Sequence, residues 1–420
     1  MQQMSLRLLR CMLLLLSIAA GHAFAQDFGD YFQEKTLRID YVLTGDANEQ
    51  EISLDCLSCL PQWYGKRFRL AETPVEGNGQ ISVYDHRSHV LIYKHSFSTL
   101  FQEWLSYPEA KTCRKAFEHV MLIPYPKDSV EISIELRNNR REVVASLTHT
   151  VSPDDILIQP KGYGCVTPYT IVQQAADTLH CVRIAFVAEG YQEKEMPIFM
   201  GDVAVAVDAL FQHEPFKRNR EDFQIIAVQS PSADSGVSEP KHGSWKATAV
   251  GSHFDTFYMD RYLTTQRMKV LHDLLAGTPY DHIIVLANTS NYGGGGILNH
   301  YNLSMTHHPK FRQVVVHEFG HSFAGLADEY AYESEQIPMY PPDVEPWEPN
   351  ITTLVSFEDK WSGFMEKADG IGLYEGAGYN LKGIYRAFPD CRMRTNEHPE
   401  FCLVCQQAIQ EVIGFYTGKQ

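Results

Sequence analysis

Val315-Val316-His317-Glu318-Phe319-Gly320-His321-Ser322-Phe323 carries two messages at once, one chemical and one structural. An α-helix turns about 100° per residue, so positions i and i+4 share a face one turn apart. With His317 at zero, His321 falls at about 40°, while Val315, Phe319, Phe323 and Leu326 fall between about 160° and 240°. One face therefore carries two imidazoles and the opposite face carries apolar anchors. That division suits a helix held rigidly from behind while its front does chemistry. Two imidazoles at this spacing can bind one zinc ion at about 2.0–2.1 Å. Glu318 comes next in angle, within reach of a water on the metal, whose pKa zinc lowers to about 7. The stretch predicts zinc as cofactor, His317 and His321 as ligands and Glu318 as the catalytic base.

Catalytic zinc takes three protein ligands and keeps one position open. The chain continues Ser322-Phe323-Ala324-Gly325-Leu326-Ala327-Asp328-Glu329-Tyr330. In metzincin peptidases the motif H-E-x-x-H-x-x-G-x-x-H, or Asp in the last place, uses glycine to turn the third ligand under the metal. Here the glycine comes one residue late, at Gly325, but its spacing to the acidic residue is kept in Gly325-x-x-Asp328. Asp328 is the first choice for third ligand, with Glu329 the alternative. A carboxylate here could instead bond to a ligand histidine without touching the metal. Downstream, Cys391-Arg392-Met393-Arg394 places a methionine where metzincins carry a turn beneath the zinc, with Met393 as its soft packing residue.

Outward from this segment, the chain divides by pattern. Its 420 residues, 44% hydrophobic, suffice for two or three domains. Arg7 and Arg10 precede a short apolar run from Met12 to Ala20, and Ala23-Phe24-Ala25 has a small-x-small cleavage pattern. Residues 1–25 read as a signal peptide, with a mature start at Gln26. Residues 26–150 read as an all-β sandwich: Leu37–Leu43 alternates, Ile81–Asp85 and His89–Tyr93 look like strands, and Val130–Leu136 with Val143–Leu147 forms a hairpin pattern. Residues 151–180 read as a connector. From 181 to 420 strands alternate with helices: Val182–Ala188, a helix to about Phe211, Phe223–Val228, a helix from Tyr262 to Leu275, Ile283–Ala287, and a final helix over about 402–416. That alternation predicts a layered α/β domain with a mostly parallel sheet. The expected class is a multi-domain α+β and α/β chain, with an N-terminal β-sandwich followed by a metzincin-like zincin catalytic domain.

The formal net charge of −16, without Lys/Arg clusters, argues against nucleic acid as a partner. No later stretch reaches the length of a membrane helix. The leader takes Cys11 and leaves Cys56, Cys59, Cys113, Cys165, Cys181, Cys391, Cys402 and Cys405, an even number that in an exported chain suggests disulfides. Cys391 with Cys402 or Cys405 would staple the methionine turn to the last helix. Cys56-x-x-Cys59 and Cys402-x-x-Cys405 could form a four-thiolate site only across two predicted domains.

Tyr292-Gly293-Gly294-Gly295-Gly296-Ile297 lacks the lysine and Ser/Thr of a phosphate loop. It reads as an open strand edge or loop at the cleft, where glycine admits a substrate backbone, or as a tight connection. Asp234-Ser235-Gly236 reads as a turn rather than a nucleophile. Tyr330, Tyr379, Tyr385 and Arg386 are candidates for stabilising an oxyanion.

His317 to Tyr330, read as HEFGHSFAGLADEY, resembles the signature of the bacterial IgA-specific metalloendopeptidase family. Other segments resemble it in order: Ala188-Glu189-Gly190-Tyr191, Asp234 to Ser238, Tyr292 to Ile297, Glu348-Pro349-Asn350-Ile351-Thr352, Tyr374 to Tyr379, Cys391-x-Met393 and Phe401-Cys402-x-x-Cys405. The resemblance spans about residues 180 to 415, and the region from 27 to 150 is similar to the β-rich domain that accompanies these peptidases. It implies a zinc endopeptidase acting on protein or peptide, with His317 and His321 as ligands and Glu318 as catalytic base, and the expected leader adds export to the periplasm, the cell surface or the secreted fraction. It does not imply immunoglobulin A as substrate, since selectivity lies in contacts outside the shared motif. Two rivals are a non-catalytic protein- or glycan-binding protein on a peptidase fold and a zinc amidase acting on peptidoglycan. An intact Glu318 favours the peptidase.

Overall fold

The computed structural model of the chain describes residues 27–333, 339–366 and 369–419. The expected leader, residues 1–25, lies outside the described residues. Among those described, no helix is long and apolar enough to cross a membrane.

The chain opens with a short helix, α1 (Phe28–Tyr31), and then strands β1 (Phe32–Gly45), β2 (Gln50–Leu60), β3 (Gly79–Asp85) and β4 (Leu91–Phe97). A one-turn helix, α2 (Leu100–Trp104), precedes β5 (Lys115–Pro126), β6 (Val130–Arg137) and β7 (Val143–Val151). With the short β8 (Gln159–Pro160) they form two four-stranded sheets, ordered β5-β1-β2-β8 and β4-β3-β6-β7. The alternation in β6 follows from the pleat: Val130, Ile132, Ile134 and Leu136 are buried, and the residues between them are half-buried. β6 and β7 pair antiparallel as the sequence pattern predicted.

The second half carries β9 (Tyr169–Gln173), β10 (Val182–Glu189), α3 (Met196–Leu210), β11 (Phe223–Val228), α4 (Met268–Leu274), β12 (His282–Ala287), β13 (Gly294–Ile297), β14 (Tyr301–Met305) and α5 (Phe311–Ala324). Three small strands, β15 (Ile351–Thr352), β16 (Tyr374–Ala377) and β17 (Asn380–Arg386), and the closing α6 (Leu403–Thr417) complete it. The main sheet has six strands in the order β13-β14-β12-β10-β11-β9. Its centre is parallel, while both edges, β13 and β9, run antiparallel to their neighbours. The stretch read as a connector thus supplies one edge of this sheet.

The helix expected from Tyr262 begins only at Met268. Tyr262 and Thr264 are instead held extended, Tyr262 bridged to Gly294 and Thr264 to His253. The expected disulfides are not formed: the eight described cysteines are free thiols. Cys391 Sγ and Cys405 Sγ approach to 3.8 Å, against about 2.0 Å for a bond. Cys56 lies against Asp40, so the two Cys-x-x-Cys pairs do not share a site.

The buried central strands divide their side chains between two cores. Ala185, Val187, Ile226, Val228, Ile283 and Val285 face α4 and join the core of the N-terminal sheets, including Leu37, Ile39, Ile81 and Ile134. Ile184, Phe186, Ala188, Ile225, Ala227 and Leu286 face the other way and pack with residues of α3, α5 and α6. The molecule is therefore layered: N-terminal sheets, α4, main sheet, then α3, α5 and α6.

Candidate functional site

α5 presents His317, Glu318 and His321 on its front while Val315, Phe319 and Phe323 sit in the core behind. The helix ends at Gly325, whose φ of +61° suits a residue without a Cβ. Leu326 donates its N–H back to the Gly320 carbonyl, and the chain turns beneath the helix. Asn350 then holds the returning segment: its amide accepts from Ala327 N at 2.8 Å and donates to Ala327 O at 2.9 Å. This brings Asp328 back to the histidines.

Asp328 Oδ1 lies 3.1 Å from His317 Nε2 and 3.3 Å from His321 Nε2, and the two Nε2 atoms are 3.1 Å apart. Ligands about 2.0–2.1 Å from one ion at tetrahedral angles would be about 3.3 Å apart. His317 Nδ1 donates to the Arg392 carbonyl at 3.0 Å and His321 Nδ1 to the Leu326 carbonyl at 2.5 Å. A carbonyl only accepts, so both protons sit on Nδ1 and both Nε2 lone pairs point into the triangle. Among the described residues, no hydrogen-bond partner meets the buried Asp328 Oδ1. Three lone-pair donors converging without a hydrogen between them form a cation site.

The other carboxylate, Glu329, points away. Its Oε1 accepts from Asn350 at 3.0 Å and from Cys405 at 3.1 Å, on the far side of the segment. Met393 is fully buried beneath α5; a Cβ at Gly320 would lie 2.8 Å from its Sδ. Arg394 N and Thr395 N both donate to the Cys391 carbonyl, which makes the methionine segment a tight turn. Burial raises the Glu318 carboxyl above its ordinary range, partly offset by the two histidines.

These groups open into a cleft of about 610 Å³. Tyr330 and Tyr379 line it, with hydroxyls 3.3 Å apart, and Tyr379 OH donates to Asp328 Oδ2. Tyr385 does not line the cleft, and Arg386 donates to the carbonyls of Glu375 and Gly376. The glycine run is the edge strand β13, and its close neighbour is α5 itself. A Cβ at Gly296 would stand 2.2 Å from the Glu318 carbonyl oxygen, and one at Gly294 would stand 3.0 Å from Glu318 Oε1. The glycines let the strand lie against the helix backbone, with an isolated bridge to Tyr262 on the strand. Ser235 sits in a turn, donating to Glu195 at 2.9 Å.

Sequence reasoning missed one wall of the cleft, which comes from the N-terminal part, just before β3 and in and beside α2. Asn78, Thr99, Gln102 and Glu103 line it. Trp347 Nε1 donates to Asn78 Oδ1 at 2.7 Å, and Tyr262 OH to Glu103 Oε2 at 2.5 Å. Burial pushes the Glu103 carboxyl up to about 7, against the pull of that hydrogen bond. No local pattern marks these residues, because their partners lie far along the chain.

No curated protein matches this chain. Residues 170–371 and 365–413 match the IgA peptidase M64 family, and residues 27–148 match the peptidase M64 N-terminus. The matched stretches contain the helix, the returning acidic segment, the methionine turn and the N-terminal wall of the cleft. The chain therefore belongs to the IgA peptidase M64 family and is a peptidase by that membership.

Proposed function

We propose that the protein is an exported zinc endopeptidase that hydrolyses peptide bonds of proteins outside the cytoplasm. The observation that carries the reading is the triangle of His317 Nε2, His321 Nε2 and Asp328 Oδ1, with edges of 3.1–3.3 Å. Borderline-soft zinc suits this nitrogen and carboxylate donor set, and two donors on one helix with a third from a glycine turn leave an open side towards the cleft. When bound, zinc supplies Lewis acidity and makes water a nucleophile near neutral pH.

The protein's own groups do the rest. Glu318 takes the proton of the attacking water and returns it to the leaving amine, and its raised pKa matches that task. Tyr330 places its hydroxyl in the cleft, where an oxyanion would develop, while Tyr379 gives its one proton to Asp328. An extended substrate would run beside β13, although the Tyr262 bridge limits the free edge. The layering, the glycine turn and Met393 beneath the site support a metzincin-like catalytic domain that begins before 181, since β9 is an edge of its sheet, and that follows a β-sandwich over 26–150. Export rests on the expected leader at 1–25.

The test is to purify the chain from Gln26 onward, measure zinc, and assay cleavage of a mixed protein library. Zinc that His317→Ala removes, with cleavage lost to a chelator and restored by added zinc, is the expected result. No zinc at the histidines would overturn the reading. Cleavage of small amides or peptidoglycan alone would favour an amidase.

Tyr379→Phe probes the support of the third ligand. Losing the hydrogen bond to Asp328 Oδ2 is expected to weaken zinc affinity about 10–100-fold, the usual effect of removing a group that orients a ligand. Competition against a chromophoric chelator reads this directly. Unchanged affinity would show that Asp328 is positioned by its backbone alone.

A further inference from the structure

Behind the returning segment, Glu329, Cys391, Cys402 and Cys405 bring their ligand atoms within 4.8 Å of one another, and all four are buried. We propose that these four side chains form a second metal site, structural in role, that takes a thiophilic divalent cation of the zinc class. It shares no residue with the His317 site and does not depend on the peptidase reading.

The sulfur spacing supports a metal over a bond. Two thiolates about 2.3 Å from one tetrahedral zinc stand about 3.8 Å apart. Cys391 Sγ and Cys405 Sγ are 3.8 Å apart. The three sulfurs are also odd in number, so any disulfide among them strands one thiol beside a buried carboxylate. Glu329 is fully buried, and its Oε2 has no hydrogen-bond partner among the described residues. An oxygen of this kind is costly unless something compensates it, and a cation would.

The backbone is arranged for thiolates. Cys402 donates its own N–H to Cys391 Sγ at 3.2 Å. Cys402 is the N-cap of α6 and Cys405 lies in its first turn, where the helix end favours negative charge. Three sulfurs select zinc or a similarly soft ion over magnesium or calcium.

The position gives the site its role. Glu329 N donates to the Met393 carbonyl at 2.9 Å, and the carbonyl between Cys391 and Met393, that of Arg392, accepts from His317. A metal here would tie three segments together: the one carrying Asp328, the methionine turn and α6.

Elemental analysis of the full chain purified without chelators is expected to give two zinc ions per chain. Cys405→Ser should lose one and keep the other; His317→Ala should do the converse. Should Cys405→Ser fail to fold, cobalt substitution of the unaltered protein decides instead. The His317 site has no sulfur donor and the Asp40, Asp55 and Cys56 group has only one, so a near-ultraviolet thiolate-to-cobalt band of three-thiolate intensity reports the second site and should persist in His317→Ala. A single zinc that vanishes with His317→Ala, the absence of that band, or peptide mapping that finds a disulfide among Cys391, Cys402 and Cys405 would each overturn the proposal.

Discussion

Glu318→Ala is expected to lower kcat/KM for protein cleavage by about 10²–10⁴-fold, the range for losing a general base. Zinc content should not change, because Glu318 is no part of the ligand triangle. The fold should survive, since the side chain faces the cleft and packs lightly against Gly294. Glu318→Gln sharpens the test. It keeps the shape but cannot accept the proton, and it should be nearly as inactive as the alanine form. Activity and zinc measured on the same preparations decide the matter. A glutamine variant with near-normal turnover would mean that another group takes the proton, Glu103 and Glu348 being carboxyls that also line the cleft.

Gly296→Ala is expected to damage both stability and activity. The added Cβ would lie 2.2 Å from the Glu318 carbonyl oxygen and 3.0 Å from its carbonyl carbon. Both are backbone atoms, so no rotamer relieves the clash, and the strand or the helix must move by about an ångström. Overpacking of this kind costs typically about 1–3 kcal/mol, and a backbone clash belongs at the upper end. The residue displaced is Glu318, the proposed base, so turnover should fall further than stability alone explains. Gly363→Ala is the control: nothing lies within 4 Å of its Cβ position. Urea midpoints and kcat measured for both variants separate the effects. A Gly296→Ala protein with unaltered midpoint would show that β13 is not packed on α5 in solution.

Legibility followed distance along the chain. The helix and its ligand spacing were readable because i and i+4 are local. The N-terminal strands were readable because the pleat imposes alternation, as in β6. The placement of Asp328 and Glu329 was not settled by spacing. Both lie past the same glycine, and what separates them is distant: Asn350 and Cys405 draw Glu329 away while Tyr379 holds Asp328. The glycine run was read for a substrate's approach, whereas its near neighbour is a helix that follows it by some twenty residues. Glu103 and Asn78 carry no signature at all; only their contacts with Tyr262 and Trp347 place them at the cleft.

The shared core has a consequence for how the molecule is made and lost. One face of the main sheet is covered by α4 together with the N-terminal sheets, through a single cluster of buried side chains drawn from Phe28 to Leu303. Buried Arg38 on β1 reaches across to Asp273 on α4 at 2.6 Å, adding a charged tie along the same seam. Neither part has a complete apolar interior without the other. During synthesis the first part must wait, partly uncovered, for its counterpart to emerge. Once joined, the two should melt as one cooperative unit, and a protease nick between them would leave the halves associated rather than free.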